Sequence, residues 1–416
     1  MIVLYNLVLV AALACASPLL LVVVALRPRL RQGFAERLRP LDARSGRGPC
    51  VWLHAASVGE AEAASPLIRG LLERGMPVIA TTLTLTGRDR LRSLFPGLPV
   101  RLAPLDLPGL PGASVRRAGV RMLLLVETEI WPNLIAGAAS GGAAVLIASG
   151  RISDTSLRRY RLAGPFFRSL LRRVRGVAAQ SEADAERFRA LGVPPDRVVV
   201  GGDLKLDRPV ADPPDSALRE AIGPGPLLVG GSTHPGEEEA LLSAWAPLRE
   251  KGLRLVLAPR HPERVPEICA NLRRKRVDFG LRSEGAGSAD VVVLDSIGEL
   301  AALYGLADVV FVGGTLAPIG GHNLVEPVQA GCVVLHGPHT HNQRPQQRLL
   351  EPLGVLRPVG SARELAERVA EVWADPDRNA AAIGAARALE AHRGASERSL
   401  ALVDEVWREV GRGLDA

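Results

Sequence analysis

Short apolar runs recur along the chain, and stretches of helical period fill the intervals between them. In the first half the runs are Cys50–Ala55, Val78–Thr82, Val100–Leu102, Arg121–Val126, Ala144–Ala148, Gly176–Ala179 and Val198–Val200. They have the length of strands, and most are apolar without alternation, as in strands covered on both faces. Helical patterns such as Glu60–Arg74 and Ala183–Leu191 lie between them. This alternation predicts a parallel sheet with helices on both faces. A second series follows at Pro226–Gly230, Leu253–Ala258, Val291–Leu294, Asp308–Val312 and Val333–Leu335, then a helical tail from Ala362 rich in alanine, arginine and glutamate. No short-period repeat is visible.

Between the two series, "DRPVADPPDSALREAIGPGP" (207–226) is rich in proline and carries turn signals without a sustained strand. It predicts the link between two α/β domains, 31–208 and 209–416, after an N-terminal segment, 1–30. Two Rossmann-like halves predict ligand binding in a cleft between them, at the carboxyl ends of the strands.

The N-terminal segment breaks the pattern. Ile2 to Leu26 is apolar apart from Asn6 and Ser17, and about 20 such residues span a bilayer as a helix. Arg27, Arg29 and Arg31 follow at once, which by the positive-inside rule places everything downstream in the cytoplasm. A cleaved signal peptide would need a basic n-region and a shorter apolar run, and a lipoprotein cysteine at Cys15 lacks the same n-region. The prediction is a single uncleaved membrane anchor, with Pro18 inside it as a point for a kink or a shallow insertion.

Composition narrows the partners. At 47% hydrophobic residues the chain can bury substantial cores, while 4% aromatics provide few stacking platforms for single-stranded nucleic acid. Nucleic acid is not an expected partner. Cys15, Cys50, Cys269 and Cys332 are far apart with no C-x-x-C, which excludes a disulfide framework and fits a reducing compartment. The net charge of +7 points to an anionic partner, either a membrane surface or a phosphate-bearing substrate. Almost all of the basic residues are arginine; Lys205, Lys251 and Lys275 are the only lysines.

Chemistry-bearing residues gather where the strands end. In "WLHAASVGEAEA" (52–63), Ser57-x-x-Glu60 has the spacing of a capping box, in which serine caps the first turn and glutamate reaches back. The same glutamate, at a strand-to-helix junction, is also placed to face a cleft and remove a proton, and spacing alone supports both readings. "MLLLVETEIWPN" puts Glu127 and Glu129 past an apolar run, pointing the same way if the strand continued. "VVVGGDLKLD" leaves Lys205 near the domain boundary. His54 ends a strand and reads equally as a hydrogen-bonded structural histidine.

In the second half, "LLVGGSTHPGEEEA" places glycines before an acidic helix start, "LRLVLAPRHPER" places Arg260 and His261 after a strand, and "DSIGELAALYG" opens a helix at Gly298-Glu299. "DVVFVGGTLAPIGGHNLVEP" runs through two glycine pairs into a helix near Asn323. Glycines before a helix N-terminus let backbone N–H groups approach a phosphate. Arg260 suits a phosphate through its planar fork, and Glu326 suits two ribose hydroxyls. Asn323-x-x-Glu326 also has the spacing of a cap. His322, His336, His339 and His341 crowd one region, but their spacing fits no common metal motif, and no metal site is expected. Segment 151–175 holds eight arginines and one acid, interleaved with apolar residues. It reads either as a basic amphipathic surface for anionic lipid or as a helix pair with its arginines in water.

Together these motifs resemble the Kdo transferases, which move 3-deoxy-D-manno-octulosonic acid (Kdo) from its CMP-activated form onto the lipid A precursor. The residues that carry the resemblance are "HAASVGE", "VETEIWPN", "GGDLKLD", "GSTHPGEEE", "APRHPER", "IGELAALYGLADVVFVGG", "GGHNLVEP" and "GPHTHN", in the family's order over nearly the whole chain. The resemblance implies a GT-B glycosyltransferase fold, two Rossmann-like domains facing across a cleft, with the terminal helix crossing back to the first. It implies an inverting transfer from CMP-Kdo to lipid IVA in lipopolysaccharide biosynthesis, without metal or cofactor, at the cytoplasmic leaflet of a bacterial inner membrane. The family's catalytic base falls on Glu60, and groups stabilising the transition state fall on Glu129 and Lys205. The CMP contacts fall on Arg260 and His261, on Ile297, Gly298 and Glu299, and on Asn323, Leu324, Val325 and Glu326. Leu324 stands where the family often has proline, Ile297 where methionine is usual, and His341 with Gln343 where aromatic residues are common. Two rivals are another GT-B enzyme acting on a nucleotide sugar, such as an epimerase, and a membrane-tethered scaffold that binds lipid or nucleotide and catalyses nothing.

Overall fold

The structure, a computed structural model, describes residues 1–26, 32–42, 49–207, 214–285 and 289–412. The chain forms two compact units: 1–208 with 392–416, and 209–391. The first carries a sheet of β1 (Cys50–His54), β2 (Val78–Thr82), β3 (Val100–Leu102), β4 (Val120–Val126), β5 (Ala144–Gly150), β6 (Val174–Ala179) and β7 (Val198–Val200). Its spatial order is β3-β2-β1-β4-β5-β6-β7, with all neighbours parallel. Strand order reverses between β1 and β4, and such a switch point leaves a crevice outside the carboxyl ends of the two strands.

The second unit carries β8 (Leu227–Thr233), β9 (Arg254–Pro259), β10 (Phe279–Leu281), β11 (Val291–Val293), β12 (Val309–Val312), β13 (Val333–His336) and β14 (Leu356–Pro358), in the order β10-β11-β9-β8-β12-β13-β14. It is parallel throughout, and its switch point lies between β8 and β12.

The central strands are buried along their whole length, as their unbroken apolar runs require: β1, β2 and β5 expose no residue. Two cores cover the faces of the first sheet. One is built around Trp52, Leu123, Ile147 and Phe188, the other around Leu53, Leu67, Leu124 and Leu146. The C-terminal helix Ala395–Arg412 completes the second of these cores with Leu400, Val403 and Val406. Its start is fixed by Asp207, whose carboxylate accepts from the Gly394 and Ser396 amides. The helical pattern expected over Glu60–Arg74 forms two helices, Val58–Ala63 and Ser65–Glu73, with Pro66 in the first turn of the second. The proline cannot donate into a preceding turn, so it starts a new helix. Part of the expected linker is helical, at Ser216–Ile222, where Asp215 caps the Leu218 amide; residues 208–213 lie outside the described set.

The anchor expectation needs correction. Ile2–Leu26 is one helix with Pro18 inside it, but among the described residues no helix is long and apolar enough to cross a membrane. Arg27, Arg29 and Arg31, expected to orient it, lie outside the described residues. In the described part, Val3, Leu4, Leu7, Val8 and Val10 are more than half exposed, while Ile2 packs on the first core and the Tyr5 ring stacks 5.4 Å from Phe166.

Candidate active site

The loops after β1 and β4 meet at the switch point of the first sheet. After β1, Ser57 caps the helix Val58–Ala63 by accepting from the Glu60 amide, 3.3 Å away. The Glu60 carboxylate turns back, but past the cap residue: it accepts from the Ala56 amide at 2.6 Å and from the Ser57 hydroxyl at 3.3 Å. The capping arrangement is therefore real, and it does not exhaust what Glu60 does. Burial first, then the neighbouring Glu127, push the Glu60 carboxyl up to about 7, with Glu129 adding to the rise; the Ala56 amide and Lys205 oppose it. A carboxyl used only as a cap gains nothing from such surroundings, whereas one that must exchange a proton near neutrality does.

Glu127 and Glu129 do not point the same way. β4 stops at Val126, and Glu127 takes a left-handed backbone, φ 61°, which costs a non-glycine residue about 1 kcal/mol or more. Its carboxylate lies 2.5 Å from the Lys205 ammonium. Glu129 instead accepts from the Trp131 indole and lies 3.8 Å from His54 Nε2. Burial pushes the Glu129 carboxyl up, but His54 and Trp131 outweigh it and hold it below the usual range. His54 is buried and bonds Thr81 Oγ1 through Nδ1 at 2.9 Å. It thus serves as a structural histidine that also braces Glu129.

Lys205 sits in the short turn Leu204–Asp207 after β7. Asp203 accepts from its amide at 2.9 Å, and Ser149, at the end of β5 with φ 53°, accepts from the Leu204 amide at 3.2 Å. The Asp203 carboxyl is raised by burial, with Lys205 opposing and Glu127 adding. Four carboxyl groups and one ammonium thus share this end of the first sheet.

In the second unit the expected donor residues stand on loops at the carboxyl ends of β9, β11 and β12. Arg260 and His261 follow β9 and are exposed, with the Arg260 amide donating to Thr233 O at 3.0 Å. Ile297 is 86% exposed, a position that burial in a core does not explain, and Gly298 beside it has φ 98°. Glu299 is held by Arg282 at 2.8 Å and by the Ser296 hydroxyl. Asn323 accepts from the Val325 amide at 2.9 Å, Leu324 is buried with its amide donating to Gln346, and Glu326 lies in the first turn of Val325–Gln329.

The phosphate reading of the two glycine pairs does not survive. The Gly313 amide donates to Gly231 O, the Gly314 amide to Glu237, and the Gly320 and Gly321 amides both to Gly314 O. All four N–H groups are used within the unit. No spacing in the sequence singles out His234 and Glu237. His234 Nε2 lies 2.9 Å from His322 Nε2, and Glu237 is 1% exposed.

Two parallel sheets of Rossmann-like order, each with polar side chains gathered at its switch point, define a protein built like the GT-B glycosyltransferases. Solved structures of this kind include a putative UDP-N-acetylglucosamine 2-epimerase from Listeria monocytogenes (TM-score 0.59, 14% identity, covering 86% of this chain and 96% of that one) and a glycosyltransferase from Rickettsia africae (TM-score 0.55, 14% identity, 88% and 99%). At these identities the likeness is one of fold alone. Residues 30–208 match the family described as 3-deoxy-D-manno-octulosonic-acid transferase. The 3-deoxy-D-manno-octulosonic acid transferase of Bordetella pertussis is 35% identical over 377 residues, 85% of this chain and 87% of that one, and that of Haemophilus influenzae is 33% identical over 414 residues, 94% and 96%. The chain belongs to the Kdo transferase family, and it is a glycosyltransferase.

Proposed function

We propose that this chain transfers Kdo from CMP-Kdo to a hydroxyl of the lipid A precursor, with inversion, and that Glu60 is the base. The observation that carries this reading is the set of groups around Glu60, whose carboxyl is pushed up to about 7 by burial and by Glu127. A sugar hydroxyl is a poor nucleophile until its proton is taken, and a base with a pKa near the working pH is suited to take it. The anionic form accepts that proton, and the surrounding carboxylates make the protonated product comfortable.

Lys205 stabilises charge that develops as CMP departs, and Glu127 holds its ammonium in place. Glu129, kept ionised by Trp131 and His54, adds negative field for the oxocarbenium-like sugar. In the second unit Arg260 and His261 take the phosphate, with Ile297, Gly298 and Glu299 and Asn323 to Glu326 forming the remaining CMP contacts. Side chains carry the phosphate here, because the amides of Gly313, Gly314, Gly320 and Gly321 are already bonded.

The lipid acceptor sits in the cytoplasmic leaflet of the bacterial inner membrane, and this reading places the chain there. The exposed apolar residues of Ile2–Leu26 support insertion into that leaflet. Beside that helix, Phe166 belongs to the arginine-rich segment, with Arg158, Arg159, Arg161 and Arg168 available to anionic headgroups.

The direct test is to incubate the purified chain with CMP-Kdo and tetraacylated lipid A precursor and to follow CMP release and the mass of the lipid. Stoichiometric CMP release with addition of Kdo to the lipid is expected. Release without a modified lipid, or no release, would reject the reading.

A further inference from the structure

The most heavily bonded side chain near the second sheet's switch point is one that no donor contact requires. Glu237 opens the helix Glu237–Trp245 after β8 and is 1% exposed. One carboxylate oxygen accepts from the His234 amide at 2.9 Å and the Gly314 amide at 2.8 Å. The other accepts from the amides of Thr315 at 3.1 Å, Leu316 at 3.0 Å and Ala317 at 3.1 Å. Five backbone N–H groups from two loops thus converge on one buried anion. Successive amides of this kind make an anion nest, which in many nucleotide-binding sheets holds a phosphate; here the protein's own carboxylate fills it.

The same carboxylate joins the loop after β8 to the loop after β12, the two strands that flank the switch point. From the first loop His234, 7% exposed, reaches His322 on the second at 2.9 Å, with their rings within 4° of parallel. Gly314, whose amide Glu237 holds, has φ +67°, and a Cβ there would lie 3.1 Å from the His322 ring. His322 is followed directly by Asn323 to Glu326, and the His261 ring lies edge-on to His234 at 5.7 Å. Burial, with His234, Arg260 and His261 around it, pushes the His322 imidazole down to about 4, so the pair is neutral and shares one N–H.

We propose that Glu237 is a positioning residue for the nucleotide-sugar donor: its carboxylate locks the two switch-point loops together and, through His234, sets His322 and the Asn323–Glu326 segment where the donor is bound. This rests on the reading of the second unit as the donor site. Glutamine at 237 keeps the volume but has one acceptor oxygen, so its NH2 must face at least two N–H donors.

The test uses the full chain, calorimetric titration with CMP, amide hydrogen exchange across 313–324, and steady-state kinetics. Glu237→Gln should weaken CMP binding about tenfold or more and speed exchange of the 314–317 amides, raising the donor KM while kcat and the acceptor KM change little. His234→Ala leaves all five Glu237 bonds in place and should also weaken CMP binding. His234→Gln, which offers an amide N–H to His322, should restore it, and this pair decides the matter if Glu237→Gln fails to fold. If wild type binds CMP and Glu237→Gln and His234→Ala bind it as tightly, the inference is wrong even if Glu237→Gln melts at a lower temperature. If wild type itself ignores CMP, the donor reading falls and takes the inference with it.

Discussion

The Lys205 ammonium lies 2.5 Å from the Glu127 carboxylate, and both act on Glu60 with opposite sign. After burial, Glu127 is the largest cause raising the Glu60 carboxyl, while Lys205 lowers it. If ionised Glu60 is the base, kcat/KM should climb with pH through about 7 and level off above it. Glu127→Gln should move that acid limb to lower pH, and Lys205→Ala should move it to higher pH, each by about half a unit to one unit. Lys205→Ala should also reduce kcat more than donor affinity. Rate profiles of the three proteins check this, and limbs moving in the same direction would contradict it.

Glu60 also links stability to pH. Its folded pKa, about 7, lies above the ordinary value of 4.5. The folded state therefore holds the extra proton between those values, and stability falls as pH rises from about 4.5 through about 7. After discounting for solvent screening the loss is about 2 kcal/mol at pH 8. Glu60→Gln keeps an oxygen for the Ala56 amide and carries no charge. It should melt a few degrees above wild type at pH 8 and at the same temperature at pH 5. Thermal denaturation at the two pH values measures this, and an equal or lower melting temperature at pH 8 would contradict the burial of a charge at Glu60.

Much of both sheets was legible in the sequence, because a strand buried on both faces must be apolar without interruption. β10 and β14 were not. Phe279–Leu281 is only partly buried at a sheet edge, and Leu356–Pro358 carries Arg357 and Pro358, so neither makes an apolar run. Glu60, Lys205 and the donor loops stood out because charged residues gathered where strands end. The partners of Glu127 and Glu129 did not, since one left-handed residue after β4 separates side chains whose spacing implied a common direction. In the sequence Glu237-Glu238-Glu239 reads only as an acidic helix start. Instead Glu237 fills the nest of amides, and Glu238, 2% exposed, accepts from Thr233 and pairs with Arg264 at 2.7 Å. No local pattern tells a solvated glutamate from one that loops distant in the chain close over.

Membrane association should depend on the N-terminal helix. The full chain should float with vesicles containing anionic lipid, and removal of residues 2–26 should release most of it at physiological salt. A truncated chain that floats as well as the full one would contradict the role given to that helix and would move it to the arginine-rich segment, whose contribution salt should weaken.

The most direct measurement is transfer from CMP-Kdo to tetraacylated lipid A precursor by Glu60→Gln, with CMP affinity measured on the same sample. Glutamine keeps the bond to Ala56 but cannot accept the acceptor's proton. A fall in kcat of about 10²–10⁴-fold is expected, with CMP binding unchanged. Transfer at a rate near wild type would show that Glu60 is a cap and not the base.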